Sequence, residues 1–336
     1  MNLSFIDWLI IFLALAGMFY SVNMSKGLMK SVTDFLSAGR TAGRYLISVS
    51  GGVAGLGAIS IISFLEVGYI GGFAFSWWGL SQGVFLLLIT MSGWVVYRFR
   101  QTRSLTLAEF FEKRYSRNFR IFAGIIAFIC GIINFGIFPA VGSQFFMVYC
   151  GIPDYVLGVP MYPVIMILLL SIALYFVNTG GQIAVIIADF FQGVFVIMVL
   201  FAVTIYLYVN VSWDQVLYSL ETTPIKLAQE EIKKLKEEDS FQLLSKEGKK
   251  SKIEDINEKH ENSSKINPFK TSHVEDFNFW YFFIGLVGMM YGTLSWQGHQ
   301  AYNSSAKSAH EAKMAAVLGD IRWKPQGIFI FLVPVL

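Results

Sequence analysis

One carboxylate stands inside a long apolar stretch of the sequence. The run from Gly180 to Tyr208, GGQIAVIIADFFQGVFVIMVLFAVTIYLY, contains a single acidic residue, Asp189. A charged side chain at the centre of a bilayer costs about 2.5 to 3.5 kcal/mol on insertion scales, so such residues mostly face a protein interior or a water-filled cavity. Two kinds of chemistry suit this position. Asp189 could attract a cation that moves through the protein, or it could bond to polar groups on a neighbouring helix.

Two other apolar segments are interrupted by glycine. SVSGGVAGLGAISIISFLEVGYIGG has five glycines between Gly51 and Gly68, and FFIGLVGMMYGTLSWQGHQAYN has four between Gly285 and Gly298. Glycine weakens a helix by about 1 kcal/mol relative to alanine. Broken helices can coordinate a cation through freed carbonyls, whereas small residues also allow plain close packing. If the chain has two inverted halves of five helices, the two segments occupy corresponding places in them, which favours a binding site.

Composition places these residues in a membrane protein. Of the 336 residues, 55% are hydrophobic and 15% are charged, whereas a soluble domain has about 25% charged residues. Seven runs have roughly the 20 apolar residues that a spanning helix needs, which predicts an all-α polytopic membrane protein. They are Phe5–Val22, Tyr45–Gly72, Phe73–Tyr97, Ile121–Tyr149, Pro160–Val177, Ile183–Tyr208 and Phe279–Trp296. An eighth begins near Pro325 and stops at Leu336, which predicts a fragment of a longer protein.

The distribution of basic residues predicts the orientation. With the N-terminus outside, the inner loops carry 15 of the 26 Lys and Arg residues, and the other 11 lie in the loop Glu221–Asp276. Long loops cross membranes largely regardless of charge, so the short outer loops that remain contain no basic residue. We therefore expect an integral protein of the plasma membrane or the bacterial inner membrane, with an extracytoplasmic N-terminus.

Two polar segments flank the apolar runs. The loop Glu221–Asp276 has 13 acidic residues and 11 lysines, and its composition predicts a short exposed helix near Ile225–Leu235 followed by disorder. Thr106 and Glu109 have the spacing of a capping box and predict a short helix on the inner membrane surface.

Several functions are not expected. The sequence contains no nucleophile–base pair and no spaced set of metal ligands, so an enzyme is not expected, and His299 has no second metal ligand at a suitable spacing. Nothing indicates a nucleic-acid partner. Pro139 predicts a kink in the fourth run, and Gln144 in the same run is expected to face protein.

Four stretches of the chain carry a family resemblance. They are DFLSAGRTAGRYLISVSG, TLAEFFEKRYSRNFRIFAGI, GGQIAVIIADFFQGV and SSAKSAHEAKMAAVLG. In this order and spacing they resemble the start of the first core helix, the inner-surface helix before the third, the fifth core helix and the loop after the sixth core helix of the sodium:solute symporter family. Together they cover most of the chain apart from the charged loop.

The resemblance implies a LeuT-like core of ten helices in two inverted repeats. It divides the chain into an extra N-terminal helix with its inner loop (1–44), the first five-helix repeat (45–210), the charged extracytoplasmic loop (211–276) and the start of an incomplete second repeat (277–336). It implies a symporter that couples Na⁺ entry to uptake of a small organic solute, with lipid around it and no cofactor besides the coupling ion. The oligomeric state is not predicted.

The resemblance also assigns residues. It places Na⁺ between the backbone carbonyls of Val53 and Leu56 and hydroxyls of the eighth core helix, which this sequence does not include; the 336-residue chain is therefore expected to be inactive alone. It associates Asp189 with the inner sodium route, which favours the first of its two chemistries. The polar side chains expected to contact the solute are Ser60, Ser63, Gln144, Tyr291 and Gln297.

Some positions depart from the family pattern. A Gln-Arg pair often precedes the Ala-Ala-Lys-like stretch, but the sequence here reads HQAYNSSAKS. Met289 and Gly292 stand where sugar-binding members have polar residues, so sugar is not favoured over other solutes. The alternative function is a symporter-like membrane sensor domain of a larger signalling protein.

Overall fold

A computed structural model of the chain describes residues 3–261, 264–269, 279–322 and 324–335. These residues form fifteen α-helices, one 3-10 turn at Ala38–Arg40, and a small hairpin of β1 (Tyr155–Val156) and β2 (Val159–Pro160). The helices are α1 (Phe5–Ser25), α2 (Val32–Ser37), α3 (Arg44–Val53), α4 (Ala58–Ser92), α5 (Val96–Gln101), α6 (Leu107–Arg114), α7 (Arg117–Cys150), α8 (Met161–Asn210), α9 (Trp213–Glu237), α10 (Asp239–Gln242), α11 (Lys246–Glu261), α12 (Phe279–Ser295), α13 (Gln297–Ser305), α14 (Ala309–Arg322) and α15 (Lys324–Val335).

Four apolar helical stretches of the described chain are long enough to cross a membrane. They are Phe5–Ser25, Ala58–Gln101, Arg117–Cys150 and Met161–Asn210. The second and fourth have 44 and 50 residues, or about 66 and 75 Å of helix, roughly twice a hydrocarbon core of about 30 Å. Each contains a glycine with non-helical backbone angles between two of the predicted runs. The protein is therefore an all-α polytopic membrane protein, as predicted.

The helix that was predicted to be broken is interrupted between α3 and α4. The last regular bond of α3 runs from the Ala54 amide to the Ser50 carbonyl at 3.0 Å, and α4 begins only after Gly57. Neither Gly55 nor Gly57 has a positive φ, and a Cβ atom added to either would meet open space. These glycines therefore favour the break through their low helix propensity rather than through a steric requirement.

The second interruption, in α8, does require glycine. Gly180 and Gly181 separate two helical halves, and Gly181 has φ 55° and ψ −144°, a region that side-chain-bearing residues avoid. A Cβ atom on Gly181 would lie 2.8 Å from the Phe35 Cα atom and 3.0 Å from the Phe35 carbonyl oxygen. The backbone of α2 therefore packs directly against the turn in α8.

The described chain packs as two compact units. The first comprises Met1–Ile61, Leu87–Val199 and Tyr291–Lys324, and the second comprises Ile62–Leu86, Leu200–Met290 and Pro325–Leu336. These units group residues by packing, whereas the four segments predicted from the sequence group them by repeat. The division into repeats stays a prediction.

In the first unit, α14 packs against α3 and α5. The stretch SSAKSAHEAKMAAVLG was expected to be a loop, but it is helical from Ala309 onward because it is rich in alanine and has a capping serine. The Ser308 hydroxyl accepts a hydrogen bond from the Glu311 amide at 3.1 Å. Just before it, the Ala42 amide donates to the Ser305 carbonyl at 3.0 Å, which ties the start of α3 to the end of α13.

Helix α6 forms where the capping pattern predicted it. The Thr106 hydroxyl accepts a hydrogen bond from the Glu109 amide at 3.2 Å. The Glu109 carboxylate, however, accepts from the Leu105 amide at 2.8 Å and not from the amide of Thr106. The reciprocal half of the box is therefore shifted by one residue.

In the second unit, a short segment of the charged loop forms hydrogen bonds with the turn within α4. We call residues 264–269 the capping segment. Gly72 has φ 53°, and the Lys265 carbonyl accepts hydrogen bonds from the Phe73 amide at 2.8 Å and the Ala74 amide at 3.3 Å. The Trp78 indole also donates to the Pro268 carbonyl at 2.9 Å. The capping segment therefore satisfies amides that the turn would leave unpaired.

The charged loop contains more helix than its composition predicted. The helix expected near Ile225–Leu235 lies within α9, but the region expected to be disordered contains α11. The Glu231 carboxylate joins the two helices, because it lies 2.6 Å from the His260 ring and 3.1 Å from the Lys259 ammonium. The hydrogen bond with His260 is the main cause of a lowered pKa for Glu231.

Candidate functional site

Asp189 lies on the face of α8 that packs against α3. Gly193 follows it by four residues and so shares that face. A Cβ atom on Gly193 would lie 2.5 Å from the Val49 Cγ1 atom of α3, which shows how closely the two helices approach. Asp189 is half-buried. Its carboxylate is therefore directed toward protein and not toward lipid.

The Asp189 carboxylate has a partner on a third helix. The Tyr302 hydroxyl of α13 donates a hydrogen bond to Asp189 Oδ2. The Tyr302 ring lies beside Gly51 of α3, since a Cβ atom there would be 3.9 Å from Tyr302 Cγ. Tyr302 thus links α8 and α13 to a point on α3 two residues before Val53. Bonding to a neighbouring helix, one of the two chemistries considered for Asp189, is observed, while its part in a sodium route stays a prediction.

Tyr302 was not among the residues singled out from the sequence. It is separated from Asp189 by 113 positions, and no local pattern connects residues so far apart. One signal was available, because Tyr302 lies within HQAYNSSAKS, the stretch where the chain departs from the family pattern. A departure beside an assigned site is a reason to examine the replacing residues as site candidates.

At the break between α3 and α4, the carbonyls of Val53 and Leu56 differ in whether they already accept a hydrogen bond. The Val53 carbonyl accepts a hydrogen bond from the Leu56 amide at 2.8 Å, while no hydrogen bond to the Leu56 carbonyl is found among the described residues. A carbonyl oxygen has two lone pairs, so both groups retain acceptor capacity. The Ser60 hydroxyl is already hydrogen-bonded within the break. It donates to the Gly55 carbonyl at 2.9 Å and accepts a long hydrogen bond of 3.5 Å from the Gly57 amide.

The second glycine-interrupted segment is also broken. Helix α12 ends at Ser295 and α13 begins at Gln297, with Trp296 between them in an extended conformation. The Gln297 amide nitrogen donates to the Ala127 carbonyl of α7 at 2.9 Å. His299 forms a hydrogen bond with the backbone of Gly51. The start of α13 therefore contacts both α7 and α3.

The remaining predicted solute contacts are dispersed. Ser63 is exposed on α4 and Gln144 is exposed on α7. Gln144 is 17 residues from Ala127, about 25 Å along the helix, so it lies far from the point where Gln297 contacts α7. Tyr291 belongs to α12, but its side chain lies outside the described part of the structure. In the described residues, no group of three or more His, Cys, Asp and Glu side chains is placed to hold a metal ion.

An ion pair fixes the start of α3 to α14. The Arg44 guanidinium contacts both Glu311 carboxylate oxygens, with a shortest distance of 2.5 Å, and the Arg44 amide donates to the same carboxylate at 2.8 Å. Such forked pairs are stronger than single contacts. The side-chain hydrogen bond from Arg44 is the main cause of a lowered pKa for Glu311.

We expect Glu311→Gln to lower the Tm at neutral pH and to have little effect in acid. A carboxyl whose pKa is lower in the folded state contributes stability above its ordinary pKa of 4.5, and that stability is lost as the pH falls through the folded-state pKa. The Tm difference between wild type and variant at pH 7 should therefore shrink below about pH 4. Thermal unfolding in detergent at both pH values measures it.

The matched control is Glu254→Gln. Glu254 pairs with Lys250 at 3.5 Å, and both side chains are largely exposed, so the pair contributes little. A Tm loss for Glu311→Gln that is equal at both pH values would show that the ion pair is not its cause.

The fold and the site together define a class: a polytopic helical membrane protein with interrupted helices and a half-buried carboxylate between packed helices. The family model of the sodium:solute symporter family matches residues 35–256, more than half of the chain. The chain belongs to the sodium:solute symporter family, a family of transporters and not of enzymes. No curated protein matches the chain.

Proposed function

We propose that the protein moves Na⁺ and a small organic solute together across the plasma membrane or bacterial inner membrane by alternating access. The observation that supports this most directly is the helix break between α3 and α4, in a chain of this family. In secondary transporters, unwound carbonyls and the ends of broken helices coordinate the coupling ion near the midplane.

In the proposed sodium site, the carbonyls of Val53 and Leu56 replace part of the hydration shell of the ion. The Leu56 carbonyl is the better candidate, because the Val53 carbonyl already accepts a hydrogen bond from the Leu56 amide. The family resemblance adds hydroxyl groups of the eighth core helix as further ligands. Ion binding at the break would hold the ends of α3 and α4 in one arrangement.

Asp189 has a separate role in this proposal, on the inner part of the sodium route. A carboxylate in a water-accessible cavity attracts a cation that leaves the binding site. The Tyr302 hydroxyl would hold the carboxylate in place while no ion is present, and Na⁺ would take over that oxygen during release. Tyr302 also lies beside Gly51, so ion release at Asp189 would affect the packing of Tyr302 near the break.

The solute is proposed to bind between the first, third and sixth core helices. Of the predicted contacts, Ser60 and Gln297 already form hydrogen bonds within the protein, and Gln144 lies far along α7 from Gln297. Ser63 and Tyr291 are therefore the first side chains to test for solute recognition. Coupling follows if Na⁺ favours the state that also binds the solute, and it is limited by the differential affinity of Na⁺ for the two states.

The proposed function is tested by transport into proteoliposomes. Protein expressed from the complete reading frame is reconstituted, and candidate organic solutes are offered with an inward Na⁺ gradient or an equal K⁺ gradient. We expect accumulation of one solute class with Na⁺ only, and its loss when an ionophore dissipates the gradient. Solute binding without accumulation would reject symport and favour the membrane sensor.

The proposed orientation has its own test, by labelling from outside intact cells. On a background of Cys130→Ala and Cys150→Ala, we expect an impermeant maleimide to label Ser251→Cys, which is exposed on α11. Gln101→Cys is exposed at the end of α5, on the proposed inner side, and should react only after permeabilisation. Labelling of Gln101→Cys in intact cells would reverse the proposed topology.

A further inference from the structure

Three arginines lie close together at the end of the apolar segment Ala58–Gln101, which ends with α5. Arg40 follows α2, Arg100 lies in α5 and Arg103 follows α5. The Arg40 guanidinium donates to the Arg103 carbonyl at 2.7 Å, and Arg100 Nε donates to the Ala306 carbonyl at 2.9 Å. The charges of Arg40 and Arg103 act on Arg100 through space. All three belong to the first compact unit. We call them the arginine cluster.

The arginine cluster has no acidic partner in the part of the chain that the structure describes. None of the ion pairs found among the described residues includes a member of the cluster, and three acids of the same unit are paired with other basic residues. Glu311 binds Arg44, and Glu109 binds Lys113. Three like charges held together without an anion repel one another. The cluster therefore has a net positive charge that the described protein does not neutralise.

A purely structural role leaves two observations unexplained. A guanidinium carries five N–H donors, and the contacts described for Arg40 and Arg100 use one carbonyl each. Arg40 Nε is buried and has no hydrogen-bond partner among the described residues. In addition, Arg40 and Arg103 have φ values of 59° and 54°, in the left-handed region that residues other than glycine rarely adopt. Strained backbone of this kind is concentrated at ligand sites.

The position of the cluster indicates the chemistry of the missing anion. Helix α5 directly follows the long apolar helix α4, and α6, which has basic residues in its last turn, comes next. The cluster therefore lies at a membrane end. Arginine forks match the oxygen atoms of a phosphoryl group, and basic pockets beside transmembrane helices bind phosphate-bearing lipid headgroups.

We propose that Arg40, Arg100 and Arg103 form a binding site for a phosphoryl group, supplied by an anionic lipid of the adjacent membrane leaflet. The lipid phosphate would lie among the three guanidinium groups, neutralise their charge and pair the buried Arg40 Nε atom. The site joins the segment before α3, the end of α5 and the stretch after α13. Bound lipid would therefore stabilise these three parts of the first unit together. The proposal requires a membrane protein but does not depend on symport.

The test compares lipid binding by protein from the complete reading frame in nanodiscs. Discs contain phosphatidylcholine alone or phosphatidylcholine with phosphatidylglycerol, and Tm and lipid retention by native mass spectrometry are measured. We expect phosphatidylglycerol to raise the Tm of wild type. We expect Arg40→Gln with Arg103→Gln to lose this rise and to bind phosphatidylglycerol about tenfold more weakly or worse, since each basic residue contributes to binding an anionic surface.

Arg98→Gln with Arg117→Gln is the matched control, because both arginines are exposed near this membrane end and their replacement removes the same two charges. This control variant should keep the response of wild type, and an equal loss in it would overturn the proposal. Inorganic phosphate added to phosphatidylcholine discs distinguishes the sources: a full Tm rise there would overturn the lipid assignment in favour of free phosphate. If the double variant does not fold, Arg40→Lys keeps the charge without the fork, and unchanged lipid retention in it would reject the site.

Discussion

Asp189→Asn should raise the Na⁺ concentration for half-maximal uptake by tenfold or more. Even at about 6 Å, farther than the direct contact proposed above, a negative charge contributes roughly 3 kcal/mol to holding a cation at an effective dielectric constant of 20, or about a hundredfold in affinity. Asparagine has almost the same shape and can still accept the hydrogen bond from Tyr302, so the packing against α3 is retained. Initial uptake rates measured against Na⁺ concentration, in protein from the complete reading frame, give the result.

Two controls separate the charge of Asp189 from its packing. Tyr302→Phe keeps the carboxylate and removes only the donor, so we expect uptake to remain sodium-dependent with a change of a few-fold. Glu66→Gln removes another carboxylate of the apolar helices, which is exposed on α4, and should leave the sodium dependence as in wild type. An unchanged sodium dependence in Asp189→Asn would remove Asp189 from the sodium route.

Gly181→Ala should be the most damaging alanine substitution at a glycine of the first unit. The backbone at Gly181 lies in a region that costs about 1 to 3 kcal/mol for a residue with a side chain. The added methyl group would also lie 2.8 Å from the Phe35 Cα atom, and backbone cannot move aside as a side chain can. We expect a fall in Tm on the order of 5 to 10 °C or the loss of folded protein, measured by thermal unfolding and by yield of monodisperse protein.

Gly136→Ala is the matched control for this substitution. Gly136 lies within α7, and a Cβ atom there would meet nothing within 4 Å. Alanine is the better helix former by about 1 kcal/mol, so the Tm should stay the same or rise. A Gly181→Ala protein as stable as Gly136→Ala would mean that α2 and the turn in α8 do not pack as described.

The membrane helices and the first helix break could be predicted because both depend on local composition. An apolar run of sufficient length has to span, and the five glycines between Gly51 and Gly68 weaken one run at a single place. The exact form of the break could not be predicted. Gly55 and Gly57 adopt angles open to any residue, whereas the strict requirement falls on Gly72 and Gly181, which lie in the turns of the two longest helices.

The partners in the site could not be predicted, because they come from distant parts of the chain. Tyr302 is 113 positions from Asp189, and Glu311 is 267 positions from Arg44. Side chains so far apart meet only when the helices pack, and the sequence has no period that encodes the pairing. Helix α11 and the full length of α9 were not predicted, for a related reason. Their composition resembles that of disordered segments, but Glu231 bonds across the helix pair to Lys259 and His260.

The carbonyl of Lys265 has a practical consequence for protein engineering. It is the acceptor for the Phe73 and Ala74 amides at the turn of α4, so shortening the charged loop through this point would strand two donors at a membrane boundary. The tip of the loop, between α9 and α11, forms no hydrogen bond to α4 among the described residues. Epitope tags, fluorescent fusions or crystallisation chaperones should therefore be inserted at the tip, and the capping segment has to keep its length.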